Sequence, residues 1–267
     1  MQAGQRIVFL SDFHLGVPNK EDSLLRERRI VMFLEVAAKD AAEIHILGDV
    51  FDMWFEWRKA VPRGYVRLLG KLAELHDRGI PLHLYIGNHD MWTFGYLTEE
   101  VGMIVHREPV EREWAGKRFL IGHGDGLGPG DHGYKFIKSV FRSGLCQWLF
   151  ARLHPNFALG LAEFWSGRSR KKSYDNDRKF LGEANEWLAI HCREVLKKQH
   201  YDYFVFGHRH LPMDLQVGEH SRYINLGDWI TRFTYAVFDG NDMKLMQRVG
   251  DGPLSADVPA ARVPSGA

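Results

Sequence analysis

Short apolar runs, each closed by a small residue, alternate with helical periodicities through most of the chain. Ile7–Leu10, Ile44–Leu47 and Leu82–Ile86 read as buried strands. Apolar spacing over Ser23–Ala38 and Arg63–Arg78 predicts helices between them, the second stopped at Gly79. Glu111–Ile121 alternates apolar and polar positions around Ala115-Gly116-Lys117 and predicts a hairpin. Tyr203–Phe206 is a further strand. Met213–Val249 carries two more hairpins, with turns near Gly218-Glu219 and Asp239-Gly240-Asn241. Strands alternating with helices predict an α/β fold, here a single domain over residues 1–249.

The pattern breaks once. Between Ile121 and Tyr203 the spacing is helical and no strand is evident, so a helical insertion is expected at about 128–200 on a core whose strands resume afterwards. Leu145–Trp165 is unusually apolar and aromatic, with Phe150, Leu153, Phe157, Leu159, Leu161, Phe164 and Trp165. A basic cluster of Arg168, Arg170, Lys171 and Lys172 follows at once. Such a stripe is equally what packs helices onto a core, and such a cluster is equally a solvated face. Apolar surface beside Lys and Arg is also what lets an enzyme lie against an anionic leaflet. The tail, 250–267, is rich in Pro, Ala, Gly and Ser and is expected to be disordered.

Composition narrows the classes. Apolar residues make up 45% and charged residues 26%, as in ordinary globular proteins, and the net charge of +1 supplies no basic field for nucleic acid. Two cysteines, Cys146 and Cys192, form no disulfide framework and point to a reducing cytoplasm. The N-terminus carries no signal-peptide pattern, and no apolar run of ~18 residues spans a bilayer.

The 14 histidines change the picture, because several follow strand ends. Five apolar runs finish in a small residue and then a metal-competent side chain: Asp12 after Ser11, Asp49 after Gly48, Asn88 and His89 after Gly87, His123 after Gly122, and His208 after Gly207. Sites in α/β sheets form beyond the carboxyl ends of strands, and glycine there lets backbone and ligand approach closely. Asp12 and His14, and again His208 and His210, stand two residues apart, so each pair can face one ion in extended chain. Asp12, His14, Asp49, Asn88, His123, His208 and His210 offer oxygen and nitrogen donors without thiolate, which suits Mn2+, Fe or Zn2+. That set exceeds one ion and suits two sharing a carboxylate, with Asp49 the expected bridge because a carboxylate has two oxygens. Two such ions clamp the attacking and leaving oxygens of an in-line displacement. Any one motif alone is more often a turn or a cap; five in this order are not.

Ser11-Asp12-Phe13-His14-Leu15-Gly16, Gly48-Asp49-Val50-Phe51-Asp52, Gly87-Asn88-His89-Asp90, Gly122-His123-Gly124-Asp125 and Gly207-His208-Arg209-His210 resemble the five signature blocks of the calcineurin-like metallophosphoesterases. The resemblance implies a four-layer αββα sandwich. It implies one ion on Asp12, His14, Asp49 and His210, and another on Asp49, Asn88, His123 and His208. It makes Asp49 and His89 the catalytic pair, with His89 on the scissile phosphate, and it puts Asp52 and Asp90 behind them as orienting groups. Within that superfamily the chain is most similar to the UDP-2,3-diacylglucosamine diphosphatases of lipid A biosynthesis, through Asp-x-His-Leu-Gly, Gly-Asp-x-Phe-Asp-x-Trp and the apolar insertion. One position departs: the best-known branch has Arg after the block's Asn, and here His89 stands there.

That likeness implies hydrolysis of a lipid-linked sugar nucleotide to UMP and 2,3-diacylglucosamine 1-phosphate. The enzyme would sit at the cytoplasmic face of the inner membrane, with Mn2+ as the metal and the insertion as a lid. Asn88, His89, Asp131, Tyr134, Trp54, Arg170 and His208 are the implied substrate contacts, Trp54 as an aromatic at the pocket mouth. Two alternatives stay open: the same chemistry on another phosphodiester, nucleotide or phosphomonoester, and a scaffold that keeps the fold without catalysis.

Overall fold

A computed structural model describes residues 2, 4–128, 132–162, 179–250, 252 and 254–260, with 132–134, 136 and 255 described by backbone alone. Two sheets stack face to face. The larger contains β1 (Arg6–Leu10), β2 (Ala41–Ile46), β3 (Leu82–Tyr85), β4 (Ile104–His106), β10 (Thr234–Phe238), β11 (Met243–Gln247) and β12 (Val258–Pro259), in the order β12-β11-β10-β1-β2-β3-β4. The smaller contains β5 (Val110–Trp114), β6 (Lys117–Ile121), β7 (Tyr203–Phe206), β8 (Pro212–Gly218) and β9 (Ser221–Leu226), in the order β5-β6-β7-β9-β8. Helices α1 (Lys20–Ala37) and α2 (Val66–Asp77) pack on the outer face of the larger sheet, and α7 (Trp187–Leu196) on that of the smaller. The short α3 (Tyr96–Glu99) precedes β4.

Strand alternation explains the layers. In β1, Val8 and Leu10 join Ile44, Ile46, Leu82 and Leu84 against the helices, whereas Ile7 and Phe9 join Phe119, Val205 and Ile224 between the sheets. Both faces are covered, so the central parallel strands are mostly apolar, with His45 and His83 as buried exceptions. The result is the expected αββα order. Helix α2 starts at Val66, three residues after its expected start. Tyr65 before it has φ 57° and offers no cap; Glu27 on α1 instead accepts the N–H groups of Arg67 and Leu68 at 2.8 and 3.1 Å. The insertion is helical as expected: α4 (His132–Arg142), α5 (Gly144–Ala151) and α6 over 155–162 precede α7.

The tail corrects one expectation. Residues 254–256 form a 3-10 turn and Val258–Pro259 pairs with β11, so part of the segment is ordered. Leu254 and Ala260 are buried, and the carboxylate of Asp257 accepts from Arg248 Nη1 at 3.0 Å, from Tyr235 Oη at 2.8 Å and from the N–H of Val249 at 3.0 Å. One fully paired buried carboxylate outweighs a composition that has little else to bury.

Between the sheets, near the β4 edge, three imidazoles stack on one carboxylate. His45 and His83 lie parallel at 4.3 Å, with an interplanar angle of 5°, and His106 follows at 5.2 Å. Glu43 Oε2 accepts from His45 Nε2 at 3.0 Å and stands 3.3 Å from His83 Nε2; Trp114 Nε1 donates to Glu43 Oε1 at 3.1 Å. His45 Nδ1 meets Tyr85 Oη at 3.2 Å, and His83 Nδ1 meets His106 Nε2 at 2.9 Å. Parallel rings cannot both aim in-plane lone pairs at one ion, and each of these ring nitrogens already has a partner, so this is a structural network and not a ligand set. Burial pushes His45 down to about 4, against the raising effect of Glu43 and with the help of His83 and Arg112; burial and then His83 bring His106 to about 4 as well.

An unfolded histidine titrates near 6.5, so between about pH 6.5 and 4 the unfolded chain binds the extra proton and stability falls as pH falls; for His45 the loss reaches about 3 kcal/mol. His45→Gln removes that proton difference. Urea unfolding with chelator present is expected to show a variant less stable than the parent at pH 7, with the gap narrowing by pH 4.5. A gap that stays constant with pH refutes the lowering of His45.

Candidate metal centre

The carboxyl ends of β1, β2, β3, β6 and β7 converge at one end of the two sheets. Past β1 and β2 the chains keep pairing: Asp12 N–H donates to Gly48 O at 3.0 Å, His14 N–H to Asp49 O at 2.9 Å and Leu15 N–H to Val50 O at 3.0 Å. Close approach is set by glycine. A Cβ on Gly87 would lie 2.2 Å from Asp49 Oδ1, and one on Gly207 would lie 2.6 Å from Asp12 Oδ2. Among the described residues eight non-glycine ones have positive φ, and five of them are Asp12, His14, Asp49, His208 and His210. Each such residue costs about 1–3 kcal/mol and persists only where its surroundings over-determine it; backbone strain here is concentrated on the expected ligands.

The side chains form two clusters that share Asp49. Asp12, His14, Asp49 and His210 bring one donor atom each within 4.8 Å of one another, and Asp49, His123 and His208 do the same. Asn88 joins the second, its Oδ1 at 3.3 Å from His123 Nε2. Asp49 Oδ2 stands 3.5 Å from His14 Nε2 and 3.4 Å from His123 Nε2, between the two sets. His14 Nε2 and His210 Nε2 face each other at 3.1 Å, and His210 Nε2 is 3.2 Å from Asp12 Oδ1. Asp12 Oδ1 and His14 Nδ1 are buried yet make no hydrogen bond. Separations of about 3 Å match the edge between neighbouring ligands of an ion ~2.1 Å away. A crowd of converging lone pairs with orphaned acceptors therefore fits divalent cations.

Orientation comes from behind each group. His123 Nδ1 bonds the carbonyl of Leu47 at 2.6 Å, which turns Nε2 toward Asp49 and Asn88. Asp12 Oδ2 accepts the N–H of His208 at 3.0 Å, and Asp49 Oδ1 accepts that of His89 at 2.9 Å. Asp90 accepts the N–H groups of Gly87 and Val50 at 2.7 and 2.9 Å. His89 Nδ1 bonds the carbonyl of Asp52 at 2.7 Å, leaving Nε2 for the cleft.

Electrostatics follow from burial and proximity. Burial alone would raise Asp49, but His123, His89 and His14 outweigh it and hold the carboxyl well below the usual range. Asp12 is likewise lowered, against burial, chiefly by His210. Burial and the Asp49 charge push Asp90 up to about 7. Burial brings His89 and His208 to about 4, whereas for His123 the Asp49 charge overcomes burial and raises it well above normal.

All seven expected ligands and His89 meet here. Trp54 does not. Trp54 is fully buried, stacked on Phe51 at 4.2 Å, and its Nε1 donates to Glu56 at 3.0 Å, so it belongs to the core under the outer helices and not to a pocket mouth. Asp131, Arg170, and the cluster Arg168, Lys171 and Lys172 lie outside the described residues, as do Phe164 and Trp165; Tyr134 lies in α4, described by backbone alone. Two supporting residues, Arg26 and Asn225, gave no motif signal. Arg26 on α1 donates to the carbonyls of Phe13, His14 and Val17 at 3.0, 2.7 and 2.9 Å and so holds the first ligand loop. Asn225 Nδ2 bonds the carbonyl of Gly207. Arg209 carried a hint in its position between two ligands.

The insertion seats one face near this centre. Lys138 of α4 pairs with Asp125 Oδ2 at 2.6 Å, and Trp92 Nε1 donates to Phe141 O at 2.8 Å. Phe150 of α5 packs on Trp92 at 4.5 Å and Phe55 at 4.9 Å. The other face is bare: Leu145, Trp148 and Phe157 are 67%, 53% and 62% exposed, and Ile137 and Leu149 are exposed with them. Among the described residues no helix is long and apolar enough to cross a membrane.

The chain is similar to several known proteins. A UDP-2,3-diacylglucosamine hydrolase from Porphyromonas gingivalis is 39% identical over 90% of this chain and 96% of its own length. One from Aeromonas salmonicida is 27% identical over 90% of this chain and 92% of its own. The solved phosphoesterase Yfce of E. coli aligns with 96% of this chain and 100% of its own at 16% identity and a TM-score of 0.46. The model of the calcineurin-like phosphoesterases matches residues 5–212. That span opens just before β1 and closes just past His210, taking in every candidate ligand, and the chain belongs to the calcineurin-like phosphoesterase family.

Proposed function

We propose that the chain hydrolyses the diphosphate of UDP-2,3-diacylglucosamine, releasing UMP and 2,3-diacylglucosamine 1-phosphate at the cytoplasmic face of the inner membrane. The chemistry rests on one observation: Asp49 Oδ2 lies between His14 and His123, the innermost imidazoles of two donor sets. Asp12, His14, Asp49 and His210 would hold one ion, and Asp49, Asn88, His123 and His208 the other; the oxygen and nitrogen donors suit Mn2+, Fe or Zn2+, and the family resemblance favours Mn2+. When bound, the pair supplies Lewis-acid polarisation of the phosphoryl oxygens and a lowered pKa for water.

The chain's own groups do the rest. Water adds to the nucleotide's α-phosphorus, the bond to the bridging oxygen breaks, and the lipid phosphate departs. His89, with Nδ1 fixed on the Asp52 carbonyl, directs Nε2 at the phosphoryl group. Burial holds it near 4. From there it can stabilise charge on the phosphoryl oxygens or on the leaving oxygen. Support for the lipid comes from the hydrolase names of the relatives and from the bare face of α4, α5 and α6, where acyl chains find Trp148, Leu145 and Phe157. The same face gives the contact with the bilayer.

Chelation is expected to abolish activity, and added Mn2+ to restore it. Asp49→Ala loses ~10³-fold or more in kcat together with both ions, Asp12→Ala mainly one ion. Metal analysis finding two ions and near-normal turnover in Asp49→Ala defeats the assignment. His89→Ala keeps both ions but loses ~10²–10⁴-fold, more for poor leaving groups than for good ones. Equal losses leave it phosphate binding only.

Substrate identity is read by mass spectrometry of products from UDP-2,3-diacylglucosamine against a nucleotide panel. Each buried methylene is worth ~0.8 kcal/mol, so efficiency should climb with acyl length. Trp148→Ser and Phe157→Ser should raise KM for the lipid substrate and spare an aryl phosphodiester. Equal efficiency for acylated and deacylated sugar nucleotides removes the lipid from the assignment and leaves the phosphoesterase.

A further inference from the structure

Arg209 stands between His208 and His210 and is fully buried. Its Nε donates to Glu186 Oε2 at 3.0 Å, and its Nη2 to Glu186 Oε1 at 2.9 Å and to the carbonyl of Lys179 at 2.8 Å. The Trp187 ring lies 4.3 Å from the guanidinium carbon. Glu186 is itself fully buried, also accepts the N–H of Leu181 at 3.0 Å, and stands at the N-terminus of α7. Residues 179–187 are the stretch by which the chain returns from the insertion to the core. A single forked ion pair thus joins that return to the loop bearing two expected ligands.

The backbone explains why such an anchor matters. His208 and His210 have φ 69° and 49°, a conformation neither prefers, and rotation of either toward negative φ would swing Arg209. That motion would pull a guanidinium off a buried carboxylate, so the pair resists it. Other ties fasten the loop to the sandwich: Arg209 N–H to Gly207 O at 2.8 Å, Gly207 N–H to His123 O at 2.9 Å, His208 N–H to Asp12 Oδ2, and Asn225 Nδ2 to the carbonyl of Gly207. A lysine could not replace the fork, because a point charge cannot span both carboxylate oxygens and a carbonyl.

We propose that Arg209 is a positioning residue. Its pair with Glu186 holds His208 and His210 in the backbone geometry that presents both imidazoles to the ions, and it makes that geometry depend on how residues 179–187 are seated. This rests on the metal reading above.

The test uses Arg209→Lys, and Arg209→Met with Glu186→Leu, in the full chain. The double variant replaces the pair by apolar groups and so keeps the fold where a single truncation would strand a buried charge. Three quantities are read: Mn2+ affinity by titration, amide exchange of 179–187 and 207–210, and melting temperature with chelator. The expected result is Mn2+ bound about 10–100-fold more weakly by both variants, with exchange rising in the two segments together and the double variant melting close to the parent. Parent-like Mn2+ affinity in a well-folded double variant overturns the proposal, whatever its melting temperature. So does faster exchange confined to 179–187, which makes the pair a staple for the insertion alone. A parent protein that takes up no Mn2+ is a different failure, because it removes the metal reading itself.

Discussion

Everything at this site depends on keeping one carboxylate ionised where water scarcely reaches. Asp49 is almost completely buried, and burial alone favours its neutral form. His123, His89 and His14 reverse that preference, and the N–H of His89 bonds its Oδ1. Those partners come from both sheets, so the charge is stable only when the sheets meet in register at their carboxyl ends. The missing Cβ of Gly87 is part of the same requirement, since any side chain there would occupy the space of Asp49 Oδ1. The neighbouring Asp90, pushed up to about 7 by burial and then by the Asp49 charge, braces the Gly87 and Val50 amides.

Left-handed backbone at five ligand positions stores strain that ordinary loops would release. It is retained because each strained segment is tied to something rigid. Arg26 gathers three carbonyls of the first loop onto α1, Asn225 fastens Gly207 to β9, and Trp229 N–H bonds the carbonyl of Asp12 at 3.1 Å. Division of labour follows. The α1–β1–β2 side is braced by elements of the sandwich, whereas the His208–His210 side leans on residues that return from the insertion. Rigidity for the ions and adaptability for a large substrate therefore meet at one loop.

Local chemistry was legible in the sequence, and partnership was not. Apolar runs closed by glycine or serine announced where Asp12, Asp49, Asn88, His123 and His208 leave their strands, because turn geometry is written in neighbouring residues. The same locality misread Trp54. An aromatic beside a signature block looks like a pocket wall, yet its partners Phe51, Tyr65 and Tyr96 surround it on every side and Glu56 takes its N–H. Ile104–His106 was too short to announce itself as an edge strand, and the tail's order depends on Arg248 meeting Asp257, a pairing that composition cannot express. Glu43, His45, His83 and His106 show the converse hazard: metal-competent residues gathered in space, whose parallel rings and satisfied nitrogens make them a brace and not a ligand set.

The bare apolar face of the insertion has a further kinetic meaning under the proposed reaction. Substrate and lipid product carry the same two acyl chains, so whatever α4, α5 and α6 gain from those chains is gained equally before and after the bond breaks. Such uniform binding lowers KM without lowering the barrier. Held too tightly, the chains would retain the product as well. Selection for turnover then has to act on the phosphates, which are the only part of the molecule that changes charge and connectivity. Exposure of Leu145, Trp148 and Phe157 would meet both demands under that reading, since an open apolar surface can take up acyl chains and release them without enclosing them.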